Sequence, residues 1–247
     1  MVADKGNKAT LADRMRGYRN ATDHVLTGRM PVLAHVDGIG FSKYTRKAKK
    51  PFDEAIGDVM LEVAGGILDR VQGAVFAYVQ SDEINVLLHG YKTLEAQPHR
   101  GNRLQKLVAD LSGPTSAHFT RLSHRIWKPG ELEGVKEAAF AAAVFPVPEN
   151  DVANYFLSRQ QDALRNSVQM LARALHSHRQ IHGKNVVEMK EMCRAKGHAW
   201  EKLALCWQRG ACVYRDPVTG IVVVDAEVPL FNKDRSYIER HLALEEG

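Results

Sequence analysis

The chain has 247 residues, 45% of them hydrophobic and 26% charged, an ordinary balance for a soluble globular protein. Its formal net charge of +5 permits an anionic partner without requiring one. No apolar run approaches the ~20 residues of a membrane-spanning helix, and the N-terminal residues lack the apolar core of a secretory signal. Three cysteines without framework spacing favour a reducing compartment, so we expect a cytoplasmic protein.

The first half of the chain alternates helical and strand patterns. Its predicted elements are, in order, a helix at 11–25, a strand at 32–36, an amphipathic helix at 51–71, and strands at 74–80 and 84–88. The first strand is β-branched and ends at Asp37-Gly38, which predicts a tight turn. The last two strands are separated by a short polar segment, which predicts a hairpin.

The second half is mainly helical. Its predicted elements are, in order, helix 104–122, strand 138–146, helix 151–183, helix 186–196 and a strand or hairpin at 221–230. Gly113 and Pro114 lie inside the first of these helices, and we expect a break or kink because proline lacks a backbone donor. Interleaved strands and helices with an antiparallel hairpin predict an α+β, or mixed α/β, fold.

Acidic residues follow two of the predicted strands. Asp37 ends the first strand, and Asp82 and Glu83 lie in the turn of the hairpin. If the strands are neighbours in one sheet, Asp37 and Asp82 come close together and repel each other unless a cation lies between them. Magnesium takes one or two carboxylates together with substrate phosphates. The spacing alone leaves turn formation or helix capping open for these acids. The pattern is typical of a polymerase palm or a nucleotide cyclase.

Several segments together resemble the tRNA-His guanylyltransferase family, whose enzymes polymerise nucleotides in the 3′-to-5′ direction. The similarity is greatest to bacterial and archaeal guanylyltransferase-like members linked to 5′-end repair of truncated tRNA. The segments are LADRMRGYR (11–19), HVDGIGFSKYT (35–45), KPFDEAI (50–56), FAYVQSDEINVLL (76–88), SRQQDALRNSVQMLA (158–172), HGKN (182–185) and QRGACV (208–213). They span most of the chain, and their combination is more specific than any one of them.

The resemblance implies a palm-like antiparallel sheet flanked by helices. On this basis we divide the chain into a catalytic core with an N-terminal helix at 1–150 and a helical extension with a late hairpin at 151–247, packed as one unit. It also implies two Mg²⁺ ions, ATP or GTP as activating nucleotide and substrate, and tRNA or a tRNA-like RNA as partner. Family members assemble as homotetramers, which are dimers of dimers, and the resemblance implies the same here.

The resemblance also assigns roles to individual residues. The metal ligands are Asp37, the backbone carbonyl of Gly38, and Asp82, with Glu83 as a further catalytic acid. The implied nucleotide site comprises Gly38, Ile39, Gly40, Phe41, Lys50, Asp53 and Ser81. In this site the loop amides cradle a triphosphate, a lysine supplies positive charge to phosphate, and an aspartate accepts donors from base or ribose.

Basic residues suggest where RNA could bind. The implied RNA contacts are Lys43, Arg46, Lys47, Arg103, Lys106, Arg159 and Asn166. The alternative for the basic groups is a solvated surface. The cluster at 43–50 follows the phosphate loop directly, which favours contact with RNA or triphosphate. Arg159, Asp162 and Asn166 lie at helical spacing, either as a surface stripe or as support beside the active site.

Three positions depart from the family pattern. His35 stands where the family usually has an arginine that contacts triphosphate, and Leu164 stands where eukaryotic members have the histidine of HINNLYN. Ser158 replaces a common tryptophan, without an evident consequence. Leu164 favours the template-dependent repair branch over addition of a single G to tRNA-His. A nucleotide cyclase and a non-catalytic tRNA-binding protein are the remaining alternatives.

Overall fold

The computed structural model describes residues 9–128, 137–216 and 218–244. Its centre is one antiparallel sheet of six strands: β1 Val32–Gly38, β2 Ala74–Gln80, β3 Glu83–Leu88, β4 Phe140–Pro146, β5 Ala211–Arg215 and β6 Val222–Asp225. The strand order is β4-β1-β3-β2-β5-β6. The predicted α+β fold is confirmed.

Helices cover both faces of the sheet. The α-helices are α1 Leu11–Asn20, α2 Phe41–Tyr44, α3 Glu54–Arg70, α4 Leu104–Leu122, α5 Glu149–Leu175, α6 His178–Ile181, α7 Val186–Ala195, α8 Leu205–Arg209 and α9 Ser236–Glu239. Helices α3 and α4 pack on one face, where Val63, Ile67 and Leu111 are completely buried. The first half of α5 packs on the other face through Phe156, which meets Phe76 edge to face.

The sheet is built from both parts of the chain. Strand β5 pairs with β2 and carries β6 at the edge, so residues after 150 complete a sheet that residues before 150 begin. The C-terminal half of α5 forms a separate apolar cluster with α6, α7 and the segment around Trp200. The predicted boundary at residue 150 therefore divides a chain whose two parts contribute strands to the same sheet.

The structure corrects three boundaries. Helix α4 continues through Pro114 without a break, and the hydroxyls of Ser112 and Ser116 donate to carbonyls four residues earlier in the same stretch. Helix α5 ends at Leu175 instead of residue 183, because His176 is extended and Ser177 starts α6 with its own capping box. Helix α1 ends at Asn20 instead of residue 25.

None of the helices within the described ranges, including the 27-residue α5, combines the length and apolarity needed to cross a bilayer.

Candidate active site

Three carboxylates meet at one end of the central strands. The antiparallel register of β1 and β3 places Asp37 opposite Glu83. Ser81 and Asp82 form the two-residue turn between β2 and β3, since Gln80 pairs with Glu83. Ser81 has a φ of 53°, and a positive φ in such a turn suits the twist of the strands it joins. The local hairpin and the long-range β1–β3 pairing together bring Asp37, Asp82 and Glu83 to this end of the sheet, which we call the acidic edge.

Gly38 lets the turn of the hairpin approach the end of β1. A Cβ atom at residue 38 would lie 2.6 Å from the Phe41 ring and 3.0 Å from Oδ2 of Asp82. Any side chain would therefore displace the aromatic anchor of the following loop or the Asp82 carboxylate. Glycine is required here by close packing against Phe41 and Asp82.

Burial and like charge act on Asp82. Burial, the larger effect, raises its pKa, and the charges of Asp37 and Glu83 raise it further, against a hydrogen bond from Ser81 that lowers it. The Asp37 side chain is exposed and has no hydrogen bond or ion pair within the described residues. Two carboxylates and a backbone carbonyl, with solvent access, are a donor set suited to Mg²⁺ and its phosphate-bound substrates. Within the described ranges no three His, Cys, Asp or Glu side chains are placed to hold a metal ion together, and a site completed by substrate phosphates does not need three.

Glu83 belongs to a different environment from Asp82. Its carboxylate is buried on the α5 face of the sheet and accepts a 2.6 Å hydrogen bond from Asn85 Nδ2. The guanidinium of Arg159 and the Nδ1 atom of His35 each lie 3.7 Å from the same oxygen. Arg159 also pairs with Asp162 on the next turn of α5. Glu83 is thus held in a polar network beneath the acidic edge.

Asn85 is the centre of this network and was missed by sequence reasoning. It is completely buried, and its Oδ1 accepts 2.5 Å from the hydroxyl of Tyr155 and lies 3.1 Å from Nδ1 of His35. Because Asn85 Nδ2 donates to Glu83, Asn85 Oδ1 is the acceptor in its other two contacts. His35 therefore donates to Asn85 from Nδ1. An asparagine inside an otherwise apolar strand was the available signal, since a buried amide requires partners.

The loop after β1 is anchored by aromatic packing. The Phe41 ring is buried against Tyr44, Phe119 and Phe140, so only its backbone can face a ligand. The Ile39 amide donates to the carbonyl of residue 139 at 2.7 Å and is not available to phosphate. The amides of residues 40–42 have no acceptor within the described part of the chain.

A family model described as tRNAHis guanylyltransferase matches residues 12–148, more than half of the chain. The chain belongs to the tRNA-His guanylyltransferase family. It is therefore a nucleotidyltransferase of a family that acts on tRNA.

Solved structures agree with this membership. A bacterial tRNA-His guanylyltransferase-like protein in complex with ATP superposes with a TM-score of 0.88 at 33% identity, covering 94% of this chain and 99% of that one. A second such structure, in complex with GTP, gives a TM-score of 0.79 at 30% identity over the same shares. The enzyme from Saccharomyces cerevisiae, at 16% identity and a TM-score of 0.71 over 88% of this chain and 99% of that one, shares the fold.

Among curated proteins, the uncharacterized protein R259 of Acanthamoeba polyphaga mimivirus is 26% identical in an alignment of 219 positions that covers 81% of this chain and 74% of that protein.

The two residues that match the family's lysine–aspartate nucleotide motif have local structural roles. Asp53 caps α3, since its Oδ1 accepts from the amide of Ala55 at 3.1 Å, and its Oδ2 accepts from the amide of Lys49 at 2.9 Å. The ammonium of Lys50 is exposed and donates to the Thr45 carbonyl at 3.2 Å. Asp53 thus closes the loop that carries Lys50.

The residues predicted to contact RNA lie in four parts of the chain. Lys43, Arg46 and Lys47 are exposed on the loop that follows the acidic edge. Arg103 lies before the start of α4, at the opposite end of the sheet, and its guanidinium is paired with Asp23. The others are distributed over two helices: Lys106 on α4, and Arg159 and Asn166 on α5. Of these, Arg159 joins the network beneath the acidic edge, and Asn166 is exposed.

Proposed function

We propose that this family member is a magnesium-dependent enzyme that adds nucleotides to the 5′ end of tRNA in the 3′-to-5′ direction, as templated 5′-end repair. The observation that carries the proposal is the convergence of Asp37, Gly38 and Asp82 at the solvent-accessible end of β1 and β3. Leu164 in place of the family histidine supports repair over strict addition of one G.

Asp37, Asp82 and the Gly38 carbonyl would hold the magnesium. When bound, Mg²⁺ supplies positive charge to phosphate oxygens and makes a nearby hydroxyl more acidic. The raised pKa of Asp82 supports this role, because a carboxylate crowded by Asp37 and Glu83 gains most from a cation. Glu83 is held by Asn85 and stabilises the position of the hairpin turn.

The chain's own groups orient the nucleotide. The amides of residues 40–42 are turned away from other backbone acceptors, and such groups bind phosphate oxygens well. Burial of Phe41 fixes these amides in place before substrate arrives, so little order has to be gained on binding. Lys50 and the exposed cations of the loop add positive charge around the triphosphate.

The reaction we infer is a phosphoryl transfer. The 3′-hydroxyl of an incoming nucleoside triphosphate attacks the 5′ phosphate of the RNA, forming a new phosphodiester bond. If ATP has first activated a 5′ monophosphate, AMP leaves, and if the end already carries a triphosphate, pyrophosphate leaves. Relatives of at least 30% identity hold ATP and GTP, which supports both nucleotides as substrates.

The experiment uses a tRNA that lacks its first nucleotide and carries a 5′-³²P label. It is incubated with the protein, Mg²⁺ and all four nucleoside triphosphates. We expect the label to become resistant to phosphatase and the RNA to gain one nucleotide that pairs with the opposite strand. The variant Asp37→Asn should abolish this product, and the exposed-surface variant Asp58→Asn should leave it unchanged.

Three other results would overturn parts of the proposal. Growth by G whatever base lies opposite would establish guanylate addition instead of templated repair. A cyclic nucleotide formed without RNA would establish a cyclase. Retention of tRNA without any Mg²⁺-dependent product would establish a binding protein, and His35→Arg would then test whether the family arginine restores addition.

A further inference from the structure

A solvent-open groove runs between α3 and α4 on the outer side of these helices. Its volume is about 500 Å³. The lining residues are Gly66, Asp69, Arg70, Pro114, Ala117, His118 and Arg121. None of them belongs to the acidic edge or to the loop that follows it.

The groove exists because the facing helices carry small residues at this level. A Cβ atom at Gly66 would lie 2.6 Å from the His118 imidazole, so the ring of His118 rests directly on the backbone of α3. Opposite, Pro114 and Ala117 present little bulk. None of the lining residues in the described ranges is a buried amide or carboxylate that could select a base.

The walls of the groove carry two exposed arginine side chains. The guanidinium groups of Arg70 and Arg121 are exposed, and neither donates a hydrogen bond or forms an ion pair within the described ranges, although the charge of Asp110 acts on Arg70 at longer range. The acids around them are already paired, Asp69 with Arg215 at 2.9 Å and Asp110 with Arg100 at 2.5 Å.

The neighbouring acid Glu62, on α3, pairs with Arg125. Burial, with the positive charges of Arg121 and Arg70, lowers the pKa of His118, so its ring is neutral near pH 7. Two guanidinium groups beside a neutral imidazole suit phosphate, because the planar guanidinium can donate two parallel hydrogen bonds to phosphate oxygens.

The groove lies on the same face of the sheet as the catalytic loop. Helix α4 reaches that loop at Phe119, which packs against Phe41. Along α3, Gly66 is 66 − 53 = 13 residues from Asp53, which closes the loop, a distance of about 20 Å at 1.5 Å per residue. A ligand at Gly66 is thus separated from Asp53 along α3, and a long polyanion on this face can reach both the groove and the catalytic loop.

We propose that the groove between α3 and α4 binds the phosphate backbone of the RNA substrate, away from the 5′ end that reacts. The proposal takes RNA as the partner from the proposed function. The groove is open to solvent and carries two arginine side chains. Such a surface fits a continuous phosphate backbone better than a single nucleotide, because small ligands bind in concave, mostly apolar pockets. The contact positions the RNA without reading its sequence.

The test measures equilibrium binding of full-length tRNA to the whole protein without any nucleotide, over a series of salt concentrations. In Arg70→Gln/Arg121→Gln we expect binding to weaken about tenfold at 0.1 M salt and the slope of log K against log salt to fall by about 1.5, as expected for two lost phosphate contacts. The matched control Arg173→Gln/Arg235→Gln removes two exposed arginines outside the groove and should change neither quantity.

Two further measurements separate this contact from catalysis and from folding. A short RNA hairpin with the same 5′ end should bind the wild type and the double variant equally, because it does not reach the groove. Arg70→Lys/Arg121→Lys should keep the salt slope while losing part of the affinity, which shows that charge at a folded site is responsible. Since no nucleotide is present, a failure of nucleotide addition leaves these results unaffected.

Unchanged tRNA affinity and slope in the glutamine variant would overturn the proposal. So would an equal loss of affinity for the short hairpin, or a loss of affinity for ATP alone, which would make the groove part of the nucleotide site. A changed molecular mass by light scattering would instead establish the groove as a contact between copies of the chain.

Discussion

At the scale of single residues, two adjacent acids have opposite environments. Asp82 projects from the hairpin turn toward Gly38, whereas Glu83 points into a buried network with Asn85 and Arg159. Alternation along a strand turns successive side chains to opposite faces, so neighbours in sequence need not share a role. The negative charge of Asp82 destabilises the folded protein in the absence of a cation, and the same charge can bind one.

The substitution Asp82→Asn tests this trade between stability and activity. Because the pKa of Asp82 is raised on folding, the folded state holds its proton more tightly, and stability falls as pH rises above the unfolded value. We expect Asp82→Asn to raise the melting temperature at pH 7 in EDTA and to lower nucleotide addition at least about a hundredfold. Calorimetry and the labelled-tRNA assay measure the two effects. A melting temperature lower than that of Asp58→Asn would contradict the electrostatic account.

The buried ring of His241 should make the folded protein less stable in mild acid. Its ring is buried against Phe76 and Tyr214, and burial, with the charges of Arg240 and Lys92, lowers its pKa to about 3. The unfolded chain takes up the proton near pH 6.5, so stability is lost as pH falls below that value. Between pH 7 and pH 5 this residue should account for about 2 kcal/mol of lost unfolding free energy.

Urea unfolding at the two pH values measures this contribution. The variant His241→Phe should lose correspondingly less stability between pH 7 and pH 5 than the wild type does. The exposed His198→Gln should behave as the wild type. An identical pH dependence in His241→Phe and wild type would show that the ring is protonated in the folded protein.

At the scale of elements, two substitutions of Asp53 distinguish its role as the N-cap of α3 from a direct contact with nucleotide. Asp53→Ala removes the N-cap of α3 and should cost about 1 kcal/mol of stability. Asp53→Ser keeps the cap and removes the carboxylate. If capping is the main role, the serine variant keeps the stability and the KM for nucleotide, whereas a raised KM in both variants would assign a direct nucleotide contact. Unfolding experiments and steady-state kinetics give the two quantities.

Gly210 controls how β5 joins the sheet. Its φ is 79°, and a Cβ atom there would lie 2.6 Å from the hydroxyl of the fully buried Tyr78. Gly210→Ala should therefore destabilise the protein by about 3 kcal/mol, from strained backbone and the clash together. Gly220 has a φ of 70° but open space, so Gly220→Ala should cost only about 1 kcal/mol. Equal losses in urea unfolding would mean that Tyr78 moves aside freely.

At the scale of the whole molecule, a bound cation should stabilise the fold. A ligand that binds only the folded state at ten times its Kd adds about 1.4 kcal/mol, or about 3–5 °C in melting temperature for a chain of this size. We expect Mg²⁺ to produce such a shift in the wild type and not in Asp37→Asn/Asp82→Asn. Thermal unfolding with Mg²⁺ and with EDTA measures it, and an equal shift in the double variant would place the cation elsewhere.

The sequence by itself determined the family, the α+β class and the positions of the acids at strand ends, because these depend on local patterns. A β-branched run before Asp37, a polar hairpin turn at Asp82 and helical periodicity over 51–71 are all contained in short windows. The pairing of β1 with β3, which brings Asp37 to the hairpin turn, is a long-range contact that these windows do not contain.

The tertiary structure alone decided the contacts between distant segments. It places β5 beside β2, gives Asn85 its partners from β1 and α5, and opens the groove where α3 meets α4. These depend on side-chain direction and on packing between residues far apart in the chain. Such contacts leave no periodic signal, since a lone buried amide or a pair of small residues has no fixed spacing from its partners.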